Sequence, residues 1–214
     1  MIGSPEVGNY QVAFDHSLRA FRERKPTEMD ATSGCEYNPQ QEAFNLVSLG
    51  QPLSVSYPQG EVLFQGTGFC PFWEWRLLSL NYLWRSDGTP LAGELVSFRQ
   101  LKHGHVFYPA FVNMGIAQLA TSLAGSAVNT DQVREACLTL GGRLERGAEI
   151  QATFPLLPRF PVTVQIWPGD EEMAGNANIL FDASATNYLH IEDVVVAGNL
   201  VARFLVQHYE MLTT

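Results

Sequence analysis

The sequence predicts an α+β fold: one domain, residues 1–214, with a mixed and mostly antiparallel sheet, helices packed on it and a long apolar C-terminal helix. Three observations carry this. Strand-like segments cluster early, within 43–64, and late, within 150–181, while helical periodicity fills the middle and both ends, which is not the strict alternation of a doubly wound fold. The segment Val194 to Tyr209 is apolar nearly all round, so that helix must be buried in a core or against a second subunit. The length, 214 residues, suits one domain with a core of its own.

The elements follow in order. Residues 5–25 form a helix, with Pro5 in its first turn and Tyr10, Phe14, Leu18 and Phe21 in one apolar stripe. Arg19, Arg22, Arg24 and Lys25 sit at its C-terminal end as a solvated cationic cluster, and Pro26 stops it. Residues 27–34 make a short helical turn ending at Gly34. Ala43–Leu49, Pro52–Tyr57 and Val62–Phe64 are strands, parted by Gly50-Gln51 and by the turn Tyr57–Gly60. A helix runs from Pro71 to about Arg85. It is apolar on two faces, with Trp73, Leu77, Leu80 and Trp84 on one and Trp75, Leu78 and Tyr82 on the other, so it is central. Gly93–Phe98 contains a short strand. Tyr108–Leu123 is a helix with Val112, Ile116, Leu119 and Leu123 inward. Asn129 caps a further helix, Asp131–Leu140, closed by Gly141-Gly142. Ile150–Leu156, Pro161–Trp167 and an interior Ile179–Phe181 are strands.

Composition removes several function classes. The net charge is −9, and an acidic surface repels phosphate backbones and anionic lipid, so nucleic acid and membranes are not expected partners. The three cysteines, Cys35, Cys70 and Cys137, contain no C-x-x-C pair, which argues against a disulfide scaffold or a structural zinc and for reduced thiols in a cytoplasm. Cys137 lies on the apolar face of its helix and reads as a buried thiol. No signal-peptide pattern and no uninterrupted apolar run of about 18 residues is present, so a soluble cytoplasmic protein is expected. His103 and His105, at i and i+2, would share a face only in an extended chain and would need a distant third metal ligand.

The stretch 167–193 holds the candidate site. Asp170, Glu171, Glu172, Asp182, Glu192 and Asp193 occur there with no Lys or Arg between Gly169 and Asp193. Trp167 offers an aromatic wall, and Ser184 and Tyr188 offer neutral hydrogen-bonding groups. If Asp170, Asp182 and the Glu192-Asp193 pair converge at one end of a sheet, they would serve a divalent cation or paired acid/base chemistry, with Asp170, Asp182 and Glu192 as the catalytic candidates. They would equally suit a small polar ligand. The alternative is local: Asp170 bonding its own turn, Asp182 capping the turn through Ser184, and Glu192 and Asp193 as first-turn helix residues.

These residues also carry a resemblance. A Trp-x-Gly-Asp-Glu-Glu turn at 167–172, a Leu-Phe-Asp-Ala-Ser strand end at 180–184 and Tyr-Leu-x-x-Glu-Asp at 188–193, with Gly93–Phe98 and Tyr37–Gly50, resemble the bacterial and archaeal DUF3786 family over residues 10 to about 208. This chain has Glu172-Met-Ala where the family pattern reads Glu-Phe-Pro, and His190-Ile191 where it reads Pro-Thr. The resemblance implies a setting in anaerobic metabolism and the company of iron–sulfur or corrinoid proteins, with no defined activity or cofactor. The chain has no cysteine cluster for an iron–sulfur centre of its own. Three functions therefore stand open: a small-ligand or partner-binding domain, an enzyme using the acidic cluster, and a structural protein whose apolar C-terminal helix makes a homo-oligomer.

Overall fold

Residue alternation sorts the late strands into two faces. In the computed structural model, which describes residues 5–213 with side chains from residue 11 onward, Ile150, Ala152 and Phe154 pair across to Ile166, Val164 and Val162. These in turn face Ala177, Ile179 and Phe181. Successive side chains on a strand point to opposite faces, so this apolar lattice faces the helices. The intervening residues form a polar ladder on the other face. There Gln165 Nε2 donates to Gln151 Oε1 at 2.7 Å, and Thr153 and Thr163 share a 2.7 Å hydroxyl contact.

The helices are α1 (Pro5–Glu23), α2 (Pro26–Ser33), α3 (Trp73–Arg85), α4 (Gly104–Phe111), α5 (Ala117–Leu123), α6 (Thr130–Thr139) and α7 (Ile191–Thr213). The strands are β1 (Glu36–Asn38), β2 (Ala43–Ser48), β3 (Gln51–Ser56), β4 (Val62–Phe64), β5 (Leu95–Ser97), β6 (Arg143–Glu145), β7 (Ile150–Leu157), β8 (Phe160–Trp167) and β9 (Asn176–Asp182). All strand pairs are antiparallel, which makes the fold α+β.

The expectation of one mixed sheet is corrected. Among the described residues there are two sheets, β1-β2-β3-β4 and β5-β9-β8-β7-β6. The early strands are consecutive and short-looped, so they pair with one another as a meander, and α3 then carries the chain away. The sheets meet where Leu49 N–H donates to Pro155 O at 3.1 Å and where Ser48 Oγ donates to Leu156 O. The buried core runs on through both, and α3 and α7 lie within it: α3 has no exposed residue among Trp73–Arg85.

Local chemistry explains most boundaries. Gly34, with φ 72°, ends α2 in the left-handed conformation that glycine adopts without strain. Asn129 Oδ1 accepts from the Asp131 and Gln132 N–H groups, satisfying two donors that open α6. Phe21 is fully buried and packs edge-on against Phe44 and Tyr57, tying α1 to the first sheet. Tyr10, expected in the same stripe, lies outside the described side chains. Arg24 is not a solvated helix-end charge: its Nη1 donates to Trp84 O and Ser86 O, both at 2.8 Å, and so caps α3.

The middle helix differs from its predicted form. It begins at Gly104, four residues earlier than expected, and Val112–Ile116 between α4 and α5 is a π-helical turn. The wider turn shifts the inward line, so Phe111, Gly115, Leu119 and Leu123 are buried while Val112 and Ile116 are half-buried. The joined helix Gly104–Leu123 is long and apolar enough to cross a membrane by length and composition. A search for uninterrupted apolar residues misses it because Asn113, Gln118 and Thr121 dilute the run without charging it.

Candidate functional site

The structure separates the acidic residues of 167–193. Trp167 ends β8, paired with Asn176, and is 38% exposed. Asp170 and Glu171 sit in the β8–β9 hairpin that follows. Asp170 Oδ1 accepts from the Glu172 and Met173 N–H groups at 2.9 and 2.8 Å, and these bonds lower its pKa from the ordinary carboxylate value. Asp182 lies at the other end of β9, the end away from that hairpin. Six residue steps at about 3.3 Å each put the two ends of β9 about 20 Å apart. The physical reason that they do not converge is thus one extended strand.

Asp182 is 5% exposed and fully engaged. Its Oδ1 accepts from Ser184 N–H (2.9 Å), Ser184 Oγ–H (2.6 Å) and Ala92 N–H (2.9 Å), and its Oδ2 accepts from Gly93 N–H (2.8 Å). Burial alone would raise its pKa. The bonds from Ser184, Ala92 and Gly93 outweigh burial and hold it below the ordinary value. Tyr188 is buried beside this knot, stacked on Tyr82 at 5.8 Å, with its hydroxyl donating to Thr89 O. Burial raises its pKa. Asp182, Ser184 and Tyr188 are therefore brought together, and what they bind is the chain's own loop 89–93.

Glu192 is exposed, with His190 Nδ1 at 3.9 Å. Asp193 turns inward from the first turn of α7, where Asn81 Nδ2 on α3 donates to its Oδ1 at 2.9 Å. Burial raises the Asp193 pKa against the opposing effects of Asn81, Arg85 and His190. Among the described residues no group of three His, Cys, Asp or Glu side chains is placed to hold a metal ion. His103 and His105 are both exposed on the surface turn that opens α4.

A cleft of about 260 Å³ lies elsewhere, between α3, the π-helical turn and α7. Trp73 and Glu74 line it from the first turn of α3, Met114 and Gln118 from the turn and α5, and Val196, Asn199, Leu200 and Arg203 from α7. The α7 residues recur at i, i+3, i+4 and i+7, which places them on one helix face. Gly115 permits the approach of the two helices here: a Cβ on it would stand 2.7 Å from Asn199 Oδ1. Arg203 Nη1 donates to Glu74 Oε1 at 3.3 Å, and its guanidinium lies 5.2 Å from the Phe72 ring centroid and 5.5 Å from that of Phe204.

Four buried side-chain polar atoms lack a hydrogen-bond partner among the described residues: Arg76 Nε, Arg85 Nε, Asn199 Oδ1 and Arg203 Nη2. Two of the four belong to residues lining this one cleft. The great majority of buried polar atoms in native proteins are paired, and these two have essentially no exposed surface, Asn199 Oδ1 being packed against Gly115, so they lie behind the cleft wall and do not open into it.

Sequence reasoning missed this cleft because its residues come from three segments 40 to 130 positions apart. One signal was available. Between Val194 and Val206 the only charged residue is Arg203 and the only uncharged polar one is Asn199, four positions before it. In a helix read as apolar all round, that i, i+4 pair makes a narrow polar stripe.

No curated protein and no solved structure matches the chain. Residues 25–204, most of the sequence and all of the strands, α3 and the cleft, match the family model described as Domain of unknown function (DUF3786). The chain belongs to that DUF3786 family.

Proposed function

We propose that the protein is a binding module that holds a small ligand in the cleft between α3, the π-helical turn and α7. The observation that carries this is the cavity itself, in which apolar walls from Trp73, Met114, Val196 and Leu200 surround Gln118 and the Arg203–Glu74 ion pair. The cavity is near the lower end of the roughly 300–1,000 Å³ typical of ligand pockets, and it combines apolar walls with few polar groups, as such sites do. The π-helical turn supports the same reading, since such turns are frequent at functional sites. A role beside iron–sulfur or corrinoid proteins in anaerobic metabolism rests on the family resemblance.

The test is a screen of small neutral, anionic and cationic molecules by NMR, with ¹⁵N shift changes assigned along the chain. Shifts grouped on Gln118, Asn199 and Arg203 are the expected result. Shifts grouped elsewhere, or none for any molecule, would remove the proposal.

A further inference from the structure

We infer a second binding site, which takes an uncharged, ring-bearing apolar molecule, in a pocket between the first sheet, the first turn of α3 and α7. The pocket has a volume of about 420 Å³ and is walled by Phe64, Phe69, Trp75 and Phe204 together with Leu49 and Leu140. It shares no lining residue with the cleft described above. The rings stand at steep angles to one another: Phe64 lies 83° from Trp75 with centroids 5.4 Å apart, and Phe204 lies 52° from Trp75 at 5.2 Å. Trp75 Nε1–H donates to Ser48 Oγ at 2.6 Å. That bond anchors the indole and leaves only ring carbon for the pocket.

Phe69 shows what covers this surface. Its side chain is 74% exposed, yet its backbone is fixed. Phe64 N–H donates to Phe69 O at 2.9 Å, Gly68 N–H donates to Phe64 O at 3.0 Å, and Phe69 N–H donates to Thr67 Oγ1 at 3.3 Å. Gly66 and Gly68, with φ 86° and 71°, let the chain turn tightly enough to close this loop. An aromatic wall held in water gains by being covered, and a wall already in place needs little ordering when a ligand arrives.

Charge and size set the class. None of the described residues lining the pocket is Asp, Glu, Lys or Arg. A charged ligand would surrender its hydration there and meet no counter-charge. Arg203, whose guanidinium lies 5.5 Å from the Phe204 ring centroid, is already paired with Glu74. The polar lining groups are the neutral side chains of Gln51, Gln65 and Thr67, and His208, whose Nδ1 is 2.9 Å from Phe204 O. They suit a hydroxyl or a ring N–H on the ligand. An apolar cavity of about 150 Å³ holds benzene, so this one admits a molecule of one or two rings.

The experiment uses the full chain at pH 8 and four probes: indole, benzyl alcohol, benzoate and benzylamine. Dissociation constants come from ¹⁵N shift titrations followed at the Thr67 and Phe69 amides and at the Trp75 indole nitrogen. Indole and benzyl alcohol are expected to shift these three signals, and to bind about tenfold or more tightly than benzoate and benzylamine. Phe69→Ala is expected to weaken indole binding severalfold while leaving the Tm of the free protein unchanged, because the ring it removes is exposed. Equal binding of either charged probe at these signals would overturn the uncharged class. Indole binding the Phe69→Ala variant as it binds wild type would overturn the role of Phe69 as a wall. Shifts confined to Gln118 and Asn199 would support the first cleft and overturn the second site, and no shift at Thr67, Phe69 or Trp75 with any probe would do the same. The wild-type ranking decides the matter by itself should the variant not fold.

Discussion

Asp182 Oδ2 accepts the backbone N–H of Gly93 at 2.8 Å across 89 residues of sequence. With the Ala92 N–H on Oδ1, this bond staples the loop after α3 to the end of β9. Asp182→Asn keeps the shape but turns one acceptor into an NH₂ that faces a donor. The expected cost is about 1–3 kcal/mol, read as a fall of several degrees in Tm. The folded pKa lies below the ordinary value, so the carboxylate's stabilisation is present above about pH 4 and is lost as pH falls through the folded pKa. Thermal melts of wild type and variant from pH 7 down to pH 3 should therefore converge at the acid end. A variant as stable as wild type at pH 7 would refute the staple.

Divalent cations are expected to leave that Tm where it is. Asp170 lies in the hairpin before β9 and Asp182 at the far end of that strand, and both carboxylates are occupied by backbone N–H groups. Melts with EDTA and with Mg²⁺, Ca²⁺, Mn²⁺ or Zn²⁺ should agree within about 1 °C, since a site at a hundredfold excess over Kd would contribute about 2.7 kcal/mol. A shift of several degrees with any one metal would show a site that these positions do not explain.

Asp193 behaves in the opposite sense to Asp182. Burial raises its folded pKa, so its protonated form is favoured by folding; that contribution is full at low pH and lost as pH rises through the folded pKa. Asp193→Asn keeps an oxygen to accept from Asn81 and removes the buried charge. The variant should melt higher than wild type at pH 7, with the difference disappearing below about pH 4. A lower Tm at pH 7 would mean that the helix N-terminus stabilises the carboxylate more than burial opposes it.

Thiol titration should separate the three cysteines. Cys70 is exposed, whereas Cys35 and Cys137 are buried, with thiols pushed up to about 12 by burial. A thiolate-trapping disulfide reagent at pH 8 is expected to react with one thiol per native chain and three after denaturation. Rapid reaction of more than one native thiol would contradict the packing of α6 or of the turn after α2.

Gly175→Ala should be costly although the residue is in a hairpin. A Cβ there would fall 1.8 Å from Ala124 O, the carbonyl that also accepts from Gly169 N–H at 2.8 Å. Backbone must move to admit it, at about 1–3 kcal/mol or more. Calorimetry on the variant tests this, and an unchanged Tm would disprove the close approach.

The fold was legible where the chemistry is local. Asn129, Gly34 and the alternation of β7 and β8 mark their elements by themselves. The division into two sheets was not legible, because nothing in β4 or β5 states which strand it will pair with. β1 was also hidden: Glu36-Tyr-Asn38 is short and polar, and only its pairing with β2 makes it a strand. The π-helical turn moved the inward line of the middle helix by a residue, which a fixed helical period cannot show. The acidic stretch was visible as composition, but its outcome depended on β9 extending to seven residues between Asp170 and Asp182. Arg203 and Asn199 were overlooked because two polar residues scarcely alter the average of a helix that is otherwise apolar.

The π-helical turn also bears on how this chain can change in length. Relative to an α-helix it holds one surplus residue, so deleting any one position within Val112–Ile116 would still leave a well-formed helix. That helix would hold Gly104–Phe111 and Ala117–Leu123 in nearly the same relative rotation, because five residues of the wide turn and four of an α-helix each turn through about the same angle. Phe111 would keep its stack on Phe98, where the ring centroids are 4.4 Å apart, and the change would be confined to the turn that carries Met114 beside the cleft. A one-residue deletion elsewhere in Gly104–Leu123 would instead turn one half of the helix by about 100° against the other, so homologous chains that differ by one residue here should place the gap within 112–116 and not beside it.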